Sequence, residues 1–271
     1  MPILDKDMTL CISLAARPSN LGTRFHNFLY DELGLPFVYK AFAPTDIEQA
    51  IAGVRGLGIR GCSVSMPYKE AVIPLVDELT PSADRIRSVN TIVNDGGRLT
   101  AHNTDYLAVR ALLEESPLRR TGSVLLRGSG GMAKAVLAAV RDVGFEDVTL
   151  LARSEERGRP LAEQYGATWT ADATSKADLL INATPIGMAG GAQAADLAFP
   201  EEAVAAASTV FDVVAVPATT PLLALAERLD KDTITGVSVT GLQAAEQFAL
   251  YTGVRPTPEA IERATVFSRA G

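Results

Sequence analysis

Hydrophobic positions along the chain alternate between two spacings. Compact apolar runs at residues 9–14, 37–42 and 62–66 have the length of strands and are bounded by turn-forming residues. Between them, residues 24–33 and 45–54 place apolar side chains three and four apart, the spacing of one helix face. Gly34 and Pro36 close the first of these helices. Thr45 stands at the start of the second with Glu48 three residues on, the spacing of a capping box. Pro67 stops the strand at 62–66, and residues 69–79 return to a helical pattern. Runs at 91–93 and 99–101 predict a hairpin turned at Asp95-Gly96.

The same alternation continues downstream. A helix at 105–115 is followed by a turn built from Pro117, Arg119, Arg120 and Gly122, then a strand at 123–127. Residues 132–143 are helical, and Gly144 is placed to end them in a left-handed conformation. Strands follow at 148–151, 179–183 and 210–214, and the tail carries helices at 242–251 and 258–267. Thr257-Pro258 gives the last helix a cap followed by proline in its first turn. Strand and helix in turn predict an α/β fold with mostly parallel sheets. The boundary falls near Asp105, giving a first domain at 1–104, a second at 105–236 and tail helices at 237–271.

Composition narrows the class. The 271 residues are 47% hydrophobic, enough for two cores, and carry a net charge of −7. An acidic balance without a basic run argues against nucleic acid or an anionic membrane as partner. Two cysteines, Cys11 and Cys62, outside any CxxC pair, and two histidines, His26 and His102, give neither a disulfide framework nor a metal site. Asp5, Lys6 and Asp7 interrupt the position where a signal peptide would need an apolar run, and no apolar stretch reaches ~18 residues. The expectation is a cytoplasmic α/β protein, monomeric or homodimeric, acting on a small molecule.

One turn carries recognisable chemistry. Gly128-Ser129-Gly130-Gly131-Met132-Ala133 fits GxGxxA between a strand and a helix. The glycines permit a tight turn and close backbone approach to a pyrophosphate, which then faces the free N–H groups of the helix. At the end of the next strand, Leu151-Ala152-Arg153-Ser154-Glu155-Glu156-Arg157 lacks the acid that would meet a ribose 2′-hydroxyl. Arg153 and Arg157 stand one helical turn apart, and guanidinium forks suit a phosphate dianion. NADP is therefore the expected dinucleotide. A solvated turn with the arginines neutralised by Glu155 and Glu156 is the plainer alternative.

Three further segments complete the pattern: Ser63-Val64-Ser65-Met66-Pro67-Tyr68-Lys69, Ser88-Val89-Asn90-Thr91 and Asn103-Thr104-Asp105. With the glycine turn they resemble, in order and spacing, the NVTxPxK, AVNT, NTD and GAGGA segments of the shikimate dehydrogenase family. Ile181-Asn182-Ala183-Thr184-Pro185, Phe211-Asp212-Val213, Thr220-Pro221-Leu222 and Gln243-Ala244-Ala245 extend the likeness over nearly the whole chain. The resemblance implies a substrate domain and a Rossmann domain, with the C-terminal helices returning to the first. It implies that Lys69 and Asp105 form the catalytic pair, Lys69 for proton transfer and Asp105 for orientation. Asn90 and Gln243 would hydrogen-bond substrate hydroxyls, since an amide both donates and accepts. Ala152, Ser154, Ala183, Thr184, Val214 and Gly236 would join the glycine turn and the two arginines around the cofactor.

The chain departs from the family at the substrate end. Asn20 and Gly22 stand where the family carries two serines that hold the substrate carboxylate, with Ser19 and Thr23 nearby and Arg17 and Arg24 as possible cationic substitutes. Ser63 and Ser65 replace Asn and Thr, Ala215 replaces a tyrosine, Tyr106 a glycine, and Arg127 an apolar residue before the glycine turn. His26 is expected to pack on its helix, and His102 to lie beside the pocket or pack within the fold. The implied reaction is interconversion of shikimate, or a related hydroxylated cyclic acid such as quinate or an amino-shikimate, with its ketone. A protein that senses NADP without turnover is the alternative of a different class. A methylenetetrahydrofolate dehydrogenase is disfavoured by Asn103-Thr104-Asp105 and Gln243.

Overall fold

In this computed structural model, which describes residues 4–270, the chain divides into two compact units, Met1–Thr104 with Gly241–Gly271, and Asp105–Thr240. The first unit opens with β1 (Thr9–Leu14), α1 (Asn20–Glu32), β2 (Phe37–Phe42), α2 (Ile47–Gly56) and β3 (Gly61–Val64). A single 3-10 turn at Ile73–Leu75 leads to β4 (Glu78–Leu79), α3 (Pro81–Asp84), β5 (Thr91–Asp95) and β6 (Arg98–His102). The six strands form one mixed sheet in the order β2-β1-β3-β5-β6-β4.

Three local expectations are corrected here. The stretch 69–79 is not a helix: Pro74 has no N–H to continue one, Val72, Ile73 and Val76 are β-branched, and Glu78–Leu79 pairs in parallel with β6. The cap of α2 is Asp46 rather than Thr45. Its carboxylate accepts from the Gln49 backbone at 3.0 Å and from the Gln49 side chain at 2.8 Å, so the cap stands one residue later than read. The hairpin turns at Gly96-Gly97, both with positive φ, and Asn94 Oδ1 accepts from Gly97 N, so β5 and β6 run longer than read.

The second unit contains α4 (Thr104–Glu115), whose first residue belongs to the first unit, then β7 (Val124–Arg127), α5 (Gly131–Asp142), β8 (Val148–Leu151), α6 (Glu155–Gln164) and β9 (Thr168–Thr170). It continues with β10 (Leu179–Asn182), α7 (Glu201–Ala206), β11 (Thr209–Asp212), α8 (Pro221–Arg228) and β12 (Asp232–Thr235). All neighbours are parallel, in the order β12-β11-β10-β7-β8-β9. That order reverses between β7 and β10, the switch point at which doubly wound sheets open a ligand crevice. Gly144 ends α5 with φ 99°, as its position predicts.

The last two helices are α9 (Gly236–Thr252) and α10 (Pro258–Arg269). From Gly241 onward they belong to the first unit, and Ala244, Ala245, Phe248, Tyr251, Ala260 and Ala264 pack with Phe25, Leu29, Tyr30 and Tyr39 on one face of its sheet. The other face packs Ile12, Leu14 and Val64 against Ile51 and Val54 of α2. Alternation along β1 explains both layers: Cys11 points to the first and Ile12 and Leu14 to the second. Among the described residues no helix is long and apolar enough to cross a membrane.

Candidate active site

In the first unit, strand register lines up Ser13, Ser63, Thr91 and His102 across β1, β3, β5 and β6. In-register partners project to the same side of a sheet. Cys11 lies two residues before Ser13 and pairs with Tyr39, so this row shares the face covered by α1 and α9. Asn90, 3% exposed, lies just before β5. Its Oδ1 accepts from Thr91 Oγ1 at 2.8 Å, Thr104 N at 2.8 Å and Thr104 Oγ1 at 3.2 Å. A backbone N–H can only donate, so the amide orientation is fixed and Nδ2 is left as a donor. Gln243 Nε2 donates to Thr104 Oγ1 at 3.2 Å, which leaves Gln243 Oε1 as an acceptor. Asn90 and Gln243 thus meet at one threonine with opposite polarity.

Gln247, one turn beyond Gln243 on α9, was not singled out from the sequence. Its Nε2 reaches Thr91 Oγ1 at 2.9 Å, Ser63 Oγ at 3.1 Å and the Asn90 carbonyl at 3.2 Å, and the residue is 3% exposed. Thr91 and Thr104 were likewise seen only as letters in motifs. Asn103 donates to the Ser88 carbonyl at 2.9 Å.

The altered positions separate clearly. Asn20 is the exposed first residue of α1 and Gly22 lies in its first turn. A Cβ at Gly22 would sit 3.6 Å from Tyr39 Oη. Thr23 Oγ1 is buried without a partner. Arg24 is committed elsewhere, donating to the Phe267 carbonyl at 2.9 Å and stacking on its ring. Ser65 is exposed beyond β3, with its N–H on Leu14 O. Lys69 is half-buried in the turn that follows, and its carbonyl accepts from Val89 N at 2.9 Å, which ties the lysine segment to the Asn90 segment. Asp105 occupies the first turn of α4.

His26 is fully buried and packs in an aromatic cluster, stacked 4.4 Å from Tyr39. Burial pulls its pKa down to about 3, with Gln247 as the one side chain opposing that shift. Neither ring nitrogen completes a hydrogen bond. His102 is half-buried, and burial lowers its pKa against the opposing pull of Glu78.

In the second unit, a cleft of about 330 Å³ opens where the sheet order reverses. Arg127, Gly128, Ser129, Gly130, Ala152, Arg153, Ala183 and Thr184 line it. Gly128 has φ 133°, and a Cβ there would come 2.8 Å from the Ala183 carbonyl. Gly130 caps α5 without a side-chain bond, and nothing stands within 4 Å of a Cβ at Gly130 or Gly131. The first N–H groups of α5 are therefore open to an anion, with Met132 half-buried in the same turn. Ala152 is buried, while Arg153, Ser154 and Arg157 are exposed. Glu155 pairs with Arg159, so it neutralises neither Arg153 nor Arg157. Arg127 donates to the Ala198 carbonyl, and burial and the like charge of Arg153 lower its pKa. Val214 is buried, and a side chain at Gly236 would collide with the Val214 carbonyl, so chain and strand touch there.

The downstream motif segments close one buried network. Asp212 accepts from Thr220 Oγ1 at 2.6 Å, Val214 N at 3.0 Å and Asn182 Nδ2 at 3.0 Å. Asn182 Oδ1 in turn accepts from Thr184 N and Oγ1. Burial raises the Asp212 pKa against these bonds. The network fixes the loops that follow β10 and β11, including Ala183, Thr184 and Val214. Tyr106 donates to Asp142 Oδ2 at 2.8 Å, tying α4 to the end of α5. Among the described residues no group of three or more His, Cys, Asp and Glu side chains could hold a metal.

The chain is similar to known proteins over nearly its whole length. The profile of the shikimate dehydrogenase substrate binding domain matches residues 19–92. A shikimate dehydrogenase-like protein of Haemophilus influenzae is 53% identical over 268 residues, covering 98% of this chain and 99% of that protein. A shikimate dehydrogenase (NADP(+)) of Citrifermentans bemidjiense is 36% identical, covering 90% of each chain. The structure of a Thermus thermophilus shikimate 5-dehydrogenase in complex with NADP(H) and shikimate is 30% identical with a TM-score of 0.86, covering 96% of this chain and 100% of that one.

Proposed function

The chain belongs to the shikimate dehydrogenase family, and from that premise we propose that it is an NADP-dependent oxidoreductase interconverting shikimate, or a closely related hydroxylated cyclic acid, with its ketone. The observation that carries the reading is the opposed polarity of Asn90 and Gln243 at Thr104. One amide donates and the other accepts, the pair needed to read a hydroxyl group. The nucleotide turn of the second unit supports the other half of the reaction. Gly128 fits only a side-chain-free contact with Ala183, and the open start of α5 and the unneutralised Arg153 and Arg157 suit a phosphorylated dinucleotide. When bound, NADP supplies the hydride acceptor.

The chain's own residues then have distinct tasks. Lys69 takes the hydroxyl proton as the alcohol is oxidised and returns it to the ketone in reverse. Asp105 orients that ammonium. Ser63, Ser65, Asn90 and Gln243 hold the ring substituents. Ser129, Gly130, Gly131 and Met132 receive the pyrophosphate, Arg153, Ser154 and Arg157 the 2′-phosphate, and Ala152, Ala183, Thr184, Val214 and Gly236 border the remainder. Gly22 leaves Tyr39 Oη facing a space where a side chain would fit, so the acid end of the substrate pocket differs in shape from one walled by two serines. Such a site discriminates through the hydrogen bonds it keeps and loses. Quinate and amino-shikimates are therefore candidates beside shikimate.

The test is a spectrophotometric survey of reduced-nicotinamide formation with shikimate, quinate and their analogues, using NADP and NAD. Turnover with at least one acid and a higher kcat/KM for NADP is expected. Lys69→Ala should lower kcat by roughly two to four powers of ten while NADP still binds. No turnover with any acid, beside tight NADP binding, would replace the reading with that of an NADP-binding protein without catalysis.

A further inference from the structure

Gln247 is a buried amide on a helix interior, reaching three acceptors on two strands. The carbonyl of Asn90 can only accept, so the group facing it at 3.2 Å must be Gln247 Nε2. That assignment propagates. The amide's two protons are shared among this carbonyl, Thr91 Oγ1 at 2.9 Å and Ser63 Oγ at 3.1 Å. Each hydroxyl has one proton. Thr91, receiving from Gln247, sends its proton to Asn90 Oδ1 at 2.8 Å. Ser63, held from the same amide, keeps its own proton and a second lone pair, so it both donates and accepts on its other side.

We propose that Gln247 is a positioning residue for the reaction, acting through Ser63 and Thr91: it holds the Ser63 hydroxyl in place and completes the bonds that hold Asn90. The proposal rests on the reading of Ser63 and Asn90 as substrate contacts. Its chemical content is specific. Asn90 Nδ2 presents a donor, so the ligand atom it meets is an acceptor. Gln243 Oε1 is the acceptor for a hydroxyl proton. A ring bearing hydroxyl groups matches this pairing of donor and acceptor, and a cationic amine at Asn90 Nδ2 does not.

His26 strengthens the placement. Its ring lies against the same cluster, fully buried, and Gln247 is the polar side chain that bears on it. The rings packed around His26 are Tyr39, Phe248 and Tyr251.

Two measurements test this. In the first, Gln247→Met keeps length and bulk but removes the donor. KM for the acid substrate should rise on the order of tenfold, with kcat changed by less than about threefold and NADP affinity unchanged. In a cycle with Ser63→Ala, the Gln247→Met effect on KM should largely vanish, because the hydroxyl it holds is gone. A general packing defect would multiply with Ser63→Ala instead, and that outcome, or an unaltered KM in Gln247→Met, overturns the proposal. In the second, the Gln247 side-chain amide of 15N-labelled protein is identified by its loss in Gln247→Met. It should exchange slowly with solvent and shift in Ser63→Ala. A rapidly exchanging or unshifted amide overturns the proposal even if the wild-type protein turns over no acid, a result that would by itself refute only the functional reading.

Discussion

His26 makes stability depend on pH in a way that can be worked out in advance. The imidazole is fully buried, and its pKa falls from 6.5 to about 3 because the charged form would lose its hydration. The groups ringing it are neutral: Tyr30, Tyr39 and Tyr251 all have pKa values raised by burial. No acid is therefore at hand to stabilise an imidazolium. In the unfolded chain the ring binds a proton below its ordinary pKa, while the folded chain does not. The contribution is thus fully present above about pH 6.5 and is lost as pH falls toward 3. Each pH unit inside that window is worth about 1.4 kcal/mol. Between about pH 7.5 and pH 5 the loss from this one group is about 2 kcal/mol. Phenylalanine has a similar outline, keeps the stack on Tyr39 and cannot take up a proton. Urea unfolding of wild type and His26→Phe across that range should give curves that diverge on acidification, with the variant gaining about 2 kcal/mol over wild type. Other titrating groups, Asp212 among them, are common to both chains and cancel in the difference. Parallel curves would mean that the ring is solvated or paired, and would refute the reasoning.

Two further outcomes follow from the second unit. Gly128→Ala forces a Cβ to 2.8 Å from the Ala183 carbonyl at a φ of 133°, so dinucleotide affinity measured by fluorescence quenching or calorimetry should fall by at least about tenfold. Thr220→Val removes a bond to the buried Asp212 and the cap on Leu223 N, and should cost about 2 kcal/mol in urea unfolding, while Thr220→Ser retains most of it.

The βα alternation of the second unit was legible because each strand is a short apolar run followed by a turn residue. The glycine turn was legible because three glycines in that setting have one economical explanation. What failed to show in the sequence has physical causes. Pro74 lies in the middle of an otherwise helix-like stretch, and its missing N–H outweighs the helical spacing. Asp46 and Thr45 are both good caps, and only backbone geometry chooses between them. Helix α6 and strands β9 and β12 lack an apolar period strong enough to stand out, being stabilised by neighbours. At the site, Asn90 and Gln243 could be named from motifs, yet their donor and acceptor directions depend on Thr104 and Thr91, which are distant in sequence from Gln243. Gln247 read as one more polar residue on a tail helix. Its contacts lie more than 150 residues away in the chain, and no local pattern encodes them. The motif residues Asn182, Asp212 and Thr220 were visible as letters, but their shared buried network is a property of the folded loops.

The return of residues 241–271 to the first unit has a consequence for biosynthesis. A ribosome releases β1 to β6 long before α9 and α10 exist, and at roughly 5–20 residues per second the intervening 105–240 take on the order of seven to thirty seconds to make. Through that interval the side of the first sheet bearing Cys11, Tyr39 and Val93 lacks the helices that supply Phe248, Tyr251, Ala260 and Ala264. The later-made segment contains every strand of its own sheet and can close as it emerges. Order of synthesis and order of completion are therefore inverted: the amino-terminal half begins first and finishes last, and a nascent chain stalled before Gly241 would expose an apolar sheet face for a chaperone to hold.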